Sequence, residues 1–289
     1  DGVSAMDAAL TFAQMLRAKG MVGKFVECFG DGVATLSATQ RACIANMTPE
    51  YGCTCTLFPV DDRTLEYLLL TGRDKEQVAL VEAYAKAQGM WNDGASRVYS
   101  EVLELNLGDV ECSLAGPSRP HDRFARNDAR SRFNAICADR NLDMDKRVAV
   151  NFMGSKYELT HGAIAIAAVT SCTTATDPAM MLACGLVAKH ARERGLLAKP
   201  WVKRVMAPGS HATQLMLERA GLAQPLAELG FATCGFGCMS CIGNSGPVWP
   251  EMHEIAGDIE LTSVLSGNRN FDGRISPDVS QNFLCAPAS

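Results

Sequence analysis

The feature that most constrains this chain is an alternation of short apolar runs with longer amphipathic segments. In the first part of the chain the apolar spacing predicts helices over residues 6–19, 36–47, 62–71 and 75–88. Strand-like runs lie between and after them, at residues 24–29, 54–58, 97–99 and 101–107. A chain that alternates strands and helices in this way folds into layers of the α/β class.

A turn-rich connector, GPSRP at residues 116–120, divides the chain. Beyond it, strands are predicted at residues 148–152, 163–170, 201–206, 231–236 and 261–265. Helices are predicted at residues 177–194 and 211–229. We therefore predict two α/β domains, residues 1–115 and 116–289, and expect a largely parallel sheet in the second.

Composition and charge exclude several classes of partner. The formal net charge is −5 and no long basic run occurs, so nucleic acid is a poor candidate. No apolar stretch approaches the roughly 20 residues of a membrane helix, and no membrane partner is expected. The first residues, from Asp1 onward, do not form a signal peptide. We expect a cytoplasmic chain that is a piece of a longer polypeptide.

Twelve cysteines in 289 residues need a physical explanation. Disulfide frameworks belong to small secreted domains that lack a sufficient core, and this chain is long enough to bury one. We therefore expect reduced thiols, most of them packed as small apolar side chains and a few acting as metal ligands.

Thiol and polar side chains follow three of the predicted strands directly. Cys172 follows strand 163–170, and the pair Cys238 and Cys241 follows the strand that ends at residue 236. The sequence SGNRN, residues 266–270, follows the last predicted strand. Because ligands of open α/β sheets bind at the carboxyl ends of the strands, we predict that these side chains share one site.

The spacing of Cys238 and Cys241 is C-x₂-C, which alone is compatible with zinc, a redox dithiol, an iron–sulfur cluster or two buried thiols. A zinc ribbon needs a second such pair, and Cys53-x-Cys55 has the wrong spacing. Adding Cys234 gives C-x₃-C-x₂-C, the spacing of the three-cysteine [4Fe–4S] cluster of radical S-adenosylmethionine enzymes. Cys234 lies in a run predicted to be a buried strand, which argues against that arrangement but leaves it open.

Five short segments resemble the aconitase family, in the same order along the chain. They are MVGKFVE (21–27), IANMTPEYG (44–52), TSCT (170–173), GCMSCIGNSGP (237–247) and LSGNRNFDGR (265–274). The likeness runs from end to end and is nearest to the bacterial and cytosolic branch, which includes the iron-regulatory protein and iron–sulfur 2-methylcitrate dehydratases. The resemblance implies two aconitase-like domains, each with three α/β/α layers and a mainly parallel sheet.

The same resemblance assigns a [4Fe–4S] cluster to Cys172, Cys238 and Cys241, and leaves Cys234 as a packing thiol. Three protein ligands for four irons leave one iron open as a Lewis acid. The implied activity is that of aconitate hydratase, a hydro-lyase of the tricarboxylic acid cycle that interconverts citrate and isocitrate through cis-aconitate. The alternatives are a 2-methylcitrate dehydratase, or a non-catalytic relative that binds a cluster or regulates RNA.

The family motifs also imply roles for five further residues. Arg269 and Arg274 match arginines that bind substrate carboxylates, for which a guanidinium offers two parallel hydrogen bonds. Asn268, grouped with these substrate-binding residues, matches an amide that donates to the cluster. In the family, Asn46 points toward the cluster, and Glu50 points toward the iron-bound oxygen or its proton relay.

Departures from the family pattern limit what this chain is expected to do alone. Thr174 stands where the family usually has asparagine, which changes a polar contact beside the cluster. The family's amino-terminal histidine and Asp-Ser-His elements and its carboxyl-terminal mobile domain have no counterpart. We therefore expect little turnover of the tricarboxylic acid substrate by this chain, full activity with the missing domains, and a monomer when the protein is full length.

Overall fold

The computed structural model describes residues 2–94, 97–170, 172 and 177–289. The first part of the chain is mainly helical. Its helices are α1 (Ala5–Lys19), α2 (Asp31–Thr35), α3 (Ala38–Asn46), α4 (Thr48–Tyr51), α5 (Asp62–Leu70) and α6 (Lys75–Ala87). Two short strands, β1 (Phe25–Glu27) and β2 (Cys55–Leu57), pair in parallel.

The remaining part of the chain alternates strands and helices. The strands are β3 (Ser113–Ala115), β4 (Arg123–Ala125), β5 (Val148–Phe152), β6 (Ser155–Leu159), β7 (Ile164–Thr170), β8 (Lys203–Ala207), β9 (Leu261–Leu265) and β10 (Val279–Cys285). The helices are α7 (Ala129–Asp139), α8 (Pro178–Glu193), α9 (His211–Arg219), α10 (Ala223–Glu228) and α11 (Pro250–Ile255). Short 3₁₀ turns occur at Leu107–Asp109, Arg126–Asp128 and Ser240–Ile242.

A six-stranded sheet organises the fold, in the order β4-β3-β10-β9-β7-β8. Strands β10, β9, β7 and β8 run parallel to one another, while β3 and β4 extend one edge in antiparallel fashion. The hairpin of β5 and β6 is separate from this sheet. The predicted α/β class with a mainly parallel sheet is confirmed.

Helices cover both faces of the six-stranded sheet. Successive residues of a strand point to opposite faces, and on β8 Val205 and Met206 do so into two different apolar clusters. The cluster around Val205 includes α1 and α11, and the cluster around Met206 holds α8, α9 and α10 against β7 and β8. This sheet therefore has a helical layer on each face, whereas the family resemblance predicted two domains that each have three layers.

The helix predictions are confirmed where local signals mark the ends. Helix α1 begins after Ser4, which forms a capping box with Asp7, and ends at Gly20 in the left-handed conformation. The prediction of a single helix over residues 211–229 is wrong. Helices α9 and α10 occupy this segment, separated by Gly221 at φ +68°.

Several strand predictions are wrong, and strands β3, β4, β6 and β10 were not predicted. Residues 97–107 form no strand, although Leu103 and Leu105 pack against the large core cluster. Residues 231–236 contribute only an isolated bridge between Thr233 and Met206. Strands need a partner backbone for their hydrogen bonds, and apolar spacing alone does not provide it.

The predicted domain boundary lies between two strands of the same sheet. Strand β3 ends at Ala115 and pairs with β4, so the connector at residues 116–120 joins neighbouring strands. The Asn282 N–H of β10 donates to the carbonyl of Pro117 within that connector (2.7 Å). The division into domains 1–115 and 116–289 stays a prediction. None of the described helices has the length and apolar character needed to cross a membrane.

Candidate functional site

The predicted site lies at the carboxyl edge of the parallel strands. Thr170, the last residue of β7, is in register with Ala207 at the end of β8. On its other side β7 pairs with β9, where Ala168 is in register with Leu265. The ends of β7, β8 and β9 therefore lie side by side at this edge of the sheet.

The three cysteines predicted as cluster ligands share one environment. Burial, the nearby thiol of Cys172 and, less strongly, that of Cys241 raise the pKa of Cys238 above its ordinary value. Cys241 is buried, and a Cβ at position 267 would lie only 3.3 Å from its Sγ. Gly267 thus lets the loop after β9 approach this thiol closely.

Two amides donate to the sulfur of Cys172. Asn46, the last residue of α3, places its Nδ2 3.0 Å from Cys172 Sγ, and Asn268 places its Nδ2 at 3.3 Å. The end of α3 is held by Thr48, whose hydroxyl donates to the carbonyl of Ala45 (2.6 Å). Paired N–H donors suit a sulfur that carries negative charge, such as a metal-bound thiolate.

Cys234 makes contacts with strand β8. Its Sγ donates to the carbonyl of Met206 (3.4 Å), and it interacts electrostatically with the ammonium of Lys203. Cys234 is exposed, so its predicted place in a buried strand is wrong.

Glu50 and Arg269 form an ion pair beside the thiols. The Nε of Arg269 donates to Oε1 of Glu50 at 2.6 Å, and the Glu50 side chain is only 1% exposed. The hydrogen bond and charge of Glu50 raise the pKa of Arg269. The second carboxylate oxygen, Oε2, is buried and has no hydrogen-bond partner among the described residues. The carbonyl oxygen of Arg269 lies 3.8 Å from Cys241 Sγ, so the ion pair of Glu50 and Arg269 lies beside the loop that carries Cys241.

The side chain of Arg274 supports the backbone of the Cys241 loop. Its Nε donates to the carbonyl of Cys241 at 2.8 Å. Gly243 adopts φ +81°, and a Cβ there would lie 2.4 Å from the carbonyl oxygen of Arg274. The eight predicted site residues are therefore brought together at one edge of the sheet. Thr174 lies outside the described residues.

Two functional candidates were not singled out from the sequence. Thr170 and Ser266, at the ends of β7 and β9, are buried and hydrogen-bonded to each other. The signal that could have found them is a hydroxyl residue at the point where a strand gives way to a thiol or amide loop.

The fold and site define an α/β protein with a mainly parallel sheet, which carries three thiols, two amides and an arginine–glutamate pair at its carboxyl edge. The chain belongs to the aconitase family, because the family model described as aconitase family (aconitate hydratase) matches residues 1–289. The α/β class of the fold agrees with that membership.

Curated relatives are similar along the whole chain. It is 51% identical over 295 residues to aconitate hydratase A of Salmonella typhimurium. It is 49% identical to the proteins of that name from Legionella pneumophila, over 291 residues, and Escherichia coli, over 294 residues. Each comparison covers 99% of this chain and 33% of the relative. The chain thus spans about a third of the length of the curated relatives it matches.

Membership of the aconitase family implies an iron–sulfur cluster, and the residues present fit one. Among the described residues, no three His, Cys, Asp or Glu side chains converge as they would on a single metal ion. A four-iron cluster is held by cysteine thiolates, and the thiols of Cys172 and Cys241 lie near enough to Cys238 to raise its pKa. The amide donors to Cys172 and the unpartnered Oε2 of Glu50 add the polar lining of a ligand site.

Proposed function

We propose that this chain is the cluster-binding part of an aconitate hydratase, a hydro-lyase that interconverts citrate and isocitrate through cis-aconitate. The observation that carries the proposal is the sulfur of Cys172, which accepts hydrogen bonds from Asn46 and Asn268 beside the thiol of Cys238. Similarity to three relatives named aconitate hydratase A supports it. Because the chain spans about a third of their length, the proposal assigns it part of an active site.

In this proposal Cys172, Cys238 and Cys241 hold a [4Fe–4S] cluster. When bound, the cluster supplies Lewis-acid chemistry, which makes hydroxide a tolerable leaving group. Asn46 and Asn268 orient the Cys172 sulfur through their N–H donors, as outer-shell groups do at other metal sites.

Arg269 and Arg274 bind carboxylates of the tricarboxylic acid substrate. Each guanidinium is already held through its Nε, Arg269 by Glu50 and Arg274 by the carbonyl of Cys241. These bonds fix the plane of the guanidinium before the substrate arrives. Less conformational entropy is then lost on binding, and two parallel hydrogen bonds to a carboxylate form without rearrangement.

In this proposal Glu50 is the group that accepts and returns a proton during the reaction. Its Oε1 already accepts a hydrogen bond from Arg269, and Oε2 is the oxygen left to take a proton from a substrate group and return it. Burial of the side chain keeps bulk water from competing for that oxygen.

Anaerobic reconstitution with iron and sulfide, followed by EPR and iron counting, tests the ligand set. Cys172→Ala is expected to lose the cluster, whereas the matched control Cys234→Ala, which removes an exposed thiol of the same region, is expected to keep it. The reverse dependence would instead identify a local triplet of Cys234, Cys238 and Cys241 and would overturn the proposed function.

We also propose that the full-length protein is a cytoplasmic monomer without membrane or nucleic-acid partners. All twelve cysteines are free, which supports a reducing compartment. The net charge of −5 supports the absence of a nucleic-acid partner. Light scattering on the full-length protein tests the oligomeric state.

A further inference from the structure

Two buried hydroxyls join the ends of neighbouring strands at this site. Ser266 Oγ accepts a hydrogen bond from the Thr170 N–H (3.0 Å) and donates to the Thr170 carbonyl (2.9 Å). Thr170 Oγ1 in turn donates to the carbonyl of Gly237 (3.2 Å). Thr170 is 2% exposed and Ser266 is 7% exposed, so water does not replace these bonds. The two side chains thus form a continuous connection from Ser266 through Thr170 to Gly237.

Each of the three residues in this connection lies within two positions of a predicted site residue. Cys172 comes two residues after Thr170, Cys238 comes directly after Gly237, and Asn268 comes two residues after Ser266. Regular strand pairing ends at this edge, so backbone ladders no longer fix the distances between the three loops. The hydroxyls continue the connection beyond the sheet.

Gly237, the residue before Cys238, is held from two sides. Its nitrogen, the Gly237 N–H, donates to the carbonyl of Pro208 just after β8 (2.8 Å). The carbonyl of the same residue accepts the hydroxyl of Thr170 at the end of β7. Gly237 adopts φ +70°, a conformation that glycine adopts without strain. Because residues 231–236 form only an isolated bridge with β8, these two bonds add to the support of the Cys238 loop.

We propose that Thr170 and Ser266 form a hydroxyl clasp that sets the spacing of the Cys172, Cys238 and Asn268 loops for cluster retention. Both are positioning residues, since they act through the backbone of the loops and not on the substrate. The inference rests on the proposed function, because it assumes that these loops hold a cluster. It adds two residues whose hydroxyls, and not their bulk, serve the site.

A pair of substitutions at Thr170 separates the hydroxyl from packing. Thr170→Val keeps the shape and loses the donor to Gly237, whereas Thr170→Ser keeps the donor and loses a methyl group. Thr262→Val is the matched control, because Thr262 is a buried threonine of β9 whose hydroxyl has no partner among the described residues. The experiment compares these variants with the wild-type protein after anaerobic reconstitution. The readouts are iron and sulfide content, the EPR signature of the reduced cluster and the rate of iron release to a chelator.

Loss of one buried hydrogen bond predicts iron release about 5- to 10-fold faster in Thr170→Val, with an altered EPR signature. Thr170→Ser and Thr262→Val are expected to stay within about two-fold of wild type, since both leave the bond to Gly237 intact. A Thr170→Ser variant that loses iron as fast as Thr170→Val would assign the effect to packing and overturn the clasp.

The clasp and the proposed function fail in different ways. If the wild-type protein binds a cluster and Thr170→Val retains it as well as Thr262→Val does, only the clasp is overturned. If the wild-type protein itself takes up no iron and sulfide, the proposed cluster site is overturned, and the clasp with it.

Discussion

Arg269 and Glu50 are 219 positions apart in the sequence and form an ion pair with an Nε–Oε1 distance of 2.6 Å. The pair joins the short helix α4 to the loop after β9. It leaves one buried carboxylate oxygen of Glu50 without a hydrogen-bond partner among the described residues. The contact orients the arginine and leaves a single carboxylate oxygen of Glu50 available as an acceptor.

Replacing Glu50 by Gln tests the proton-holding role. The substitution keeps the size of the side chain and one acceptor oxygen for Arg269 but removes the carboxylate. We expect turnover by the full-length enzyme to fall by about 100-fold or more, because a positioned acid–base group contributes that much. Iron content is expected to stay at the wild-type level, since the donors to Cys172 are untouched.

The control for this variant is Glu66→Gln, which removes a carboxylate from an exposed ion pair with Arg63. Its turnover is expected to equal that of wild type. A Glu50→Gln enzyme that keeps at least half of the wild-type turnover would contradict the assigned role. Steady-state kinetics with citrate and with isocitrate measure the turnover of both variants.

Replacing Gly243 by Ala tests how closely the Cys241 loop approaches Arg274. The new Cβ adds the cost of a left-handed backbone, about 1–2 kcal/mol, to a collision with a backbone oxygen 2.4 Å away. We expect the free energy of unfolding to fall by more than about 2 kcal/mol. Urea denaturation measures the difference.

Gly154→Ala separates the two parts of that cost. Gly154 lies in the turn between β5 and β6, has a similar φ of +79°, and a Cβ there would meet no atom within 4 Å. Only the cost of the backbone conformation, about 1–2 kcal/mol, is expected for it. Equal losses for Gly154→Ala and Gly243→Ala would show that the approach to Arg274 is not tight.

Stability is expected to fall on the alkaline side because of buried thiols. Burial raises the pKa of Cys184 from about 9 to about 12. The unfolded chain therefore releases this proton near pH 9, while the folded chain keeps it until near pH 12. The stability that the neutral buried thiol contributes is complete below pH 9 and is lost as the pH rises toward 12, with a slope of about 1.4 kcal/mol per pH unit.

Cys184→Ala removes this contribution and should make the free energy of unfolding less steep between pH 9 and 10.5. Cys234→Ala, which removes an exposed thiol, is expected to keep the wild-type slope. Denaturation curves at several pH values measure both slopes. The same slope in all three proteins would show that Cys184 does not titrate with unfolding.

Local signals in the sequence determined helices with marked ends, such as α1, and the kinds of residue at the site. Helix α1 follows from its apolar spacing and from Ser4 and Gly20 at its ends, all of which act within one helical turn. The thiols, amides and arginines that resemble the aconitase family were likewise readable as short motifs. Helix-end signals and short motifs each involve residues that are close in sequence, so both can be identified without knowledge of the fold.

Tertiary structure alone decided which runs became strands. Strand β10 contains the buried polar residues Gln281 and Asn282, which the apolar pattern does not favour. Gln281 donates to Glu260 (2.7 Å) and Asn282 accepts from Ser263 (2.6 Å), so each side chain has a polar partner on another element. Residues 97–107 have a more strand-like pattern but form no strand, because strand structure depends on a neighbouring backbone.

The arrangement of the site was also decided by the fold. Motifs identified Cys172 and Asn46 as candidates, but only the tertiary fold places the end of α3 beside Cys172 and brings the amide within 3.0 Å of the sulfur. Thr170, Gly237 and Ser266 lie in family-like segments, but the connection between them was not predicted, because its bonds involve backbone atoms that nearly every residue possesses. The sequence determines which side chains are present, whereas distances between loops that are remote in sequence depend on the register of the strands that carry them.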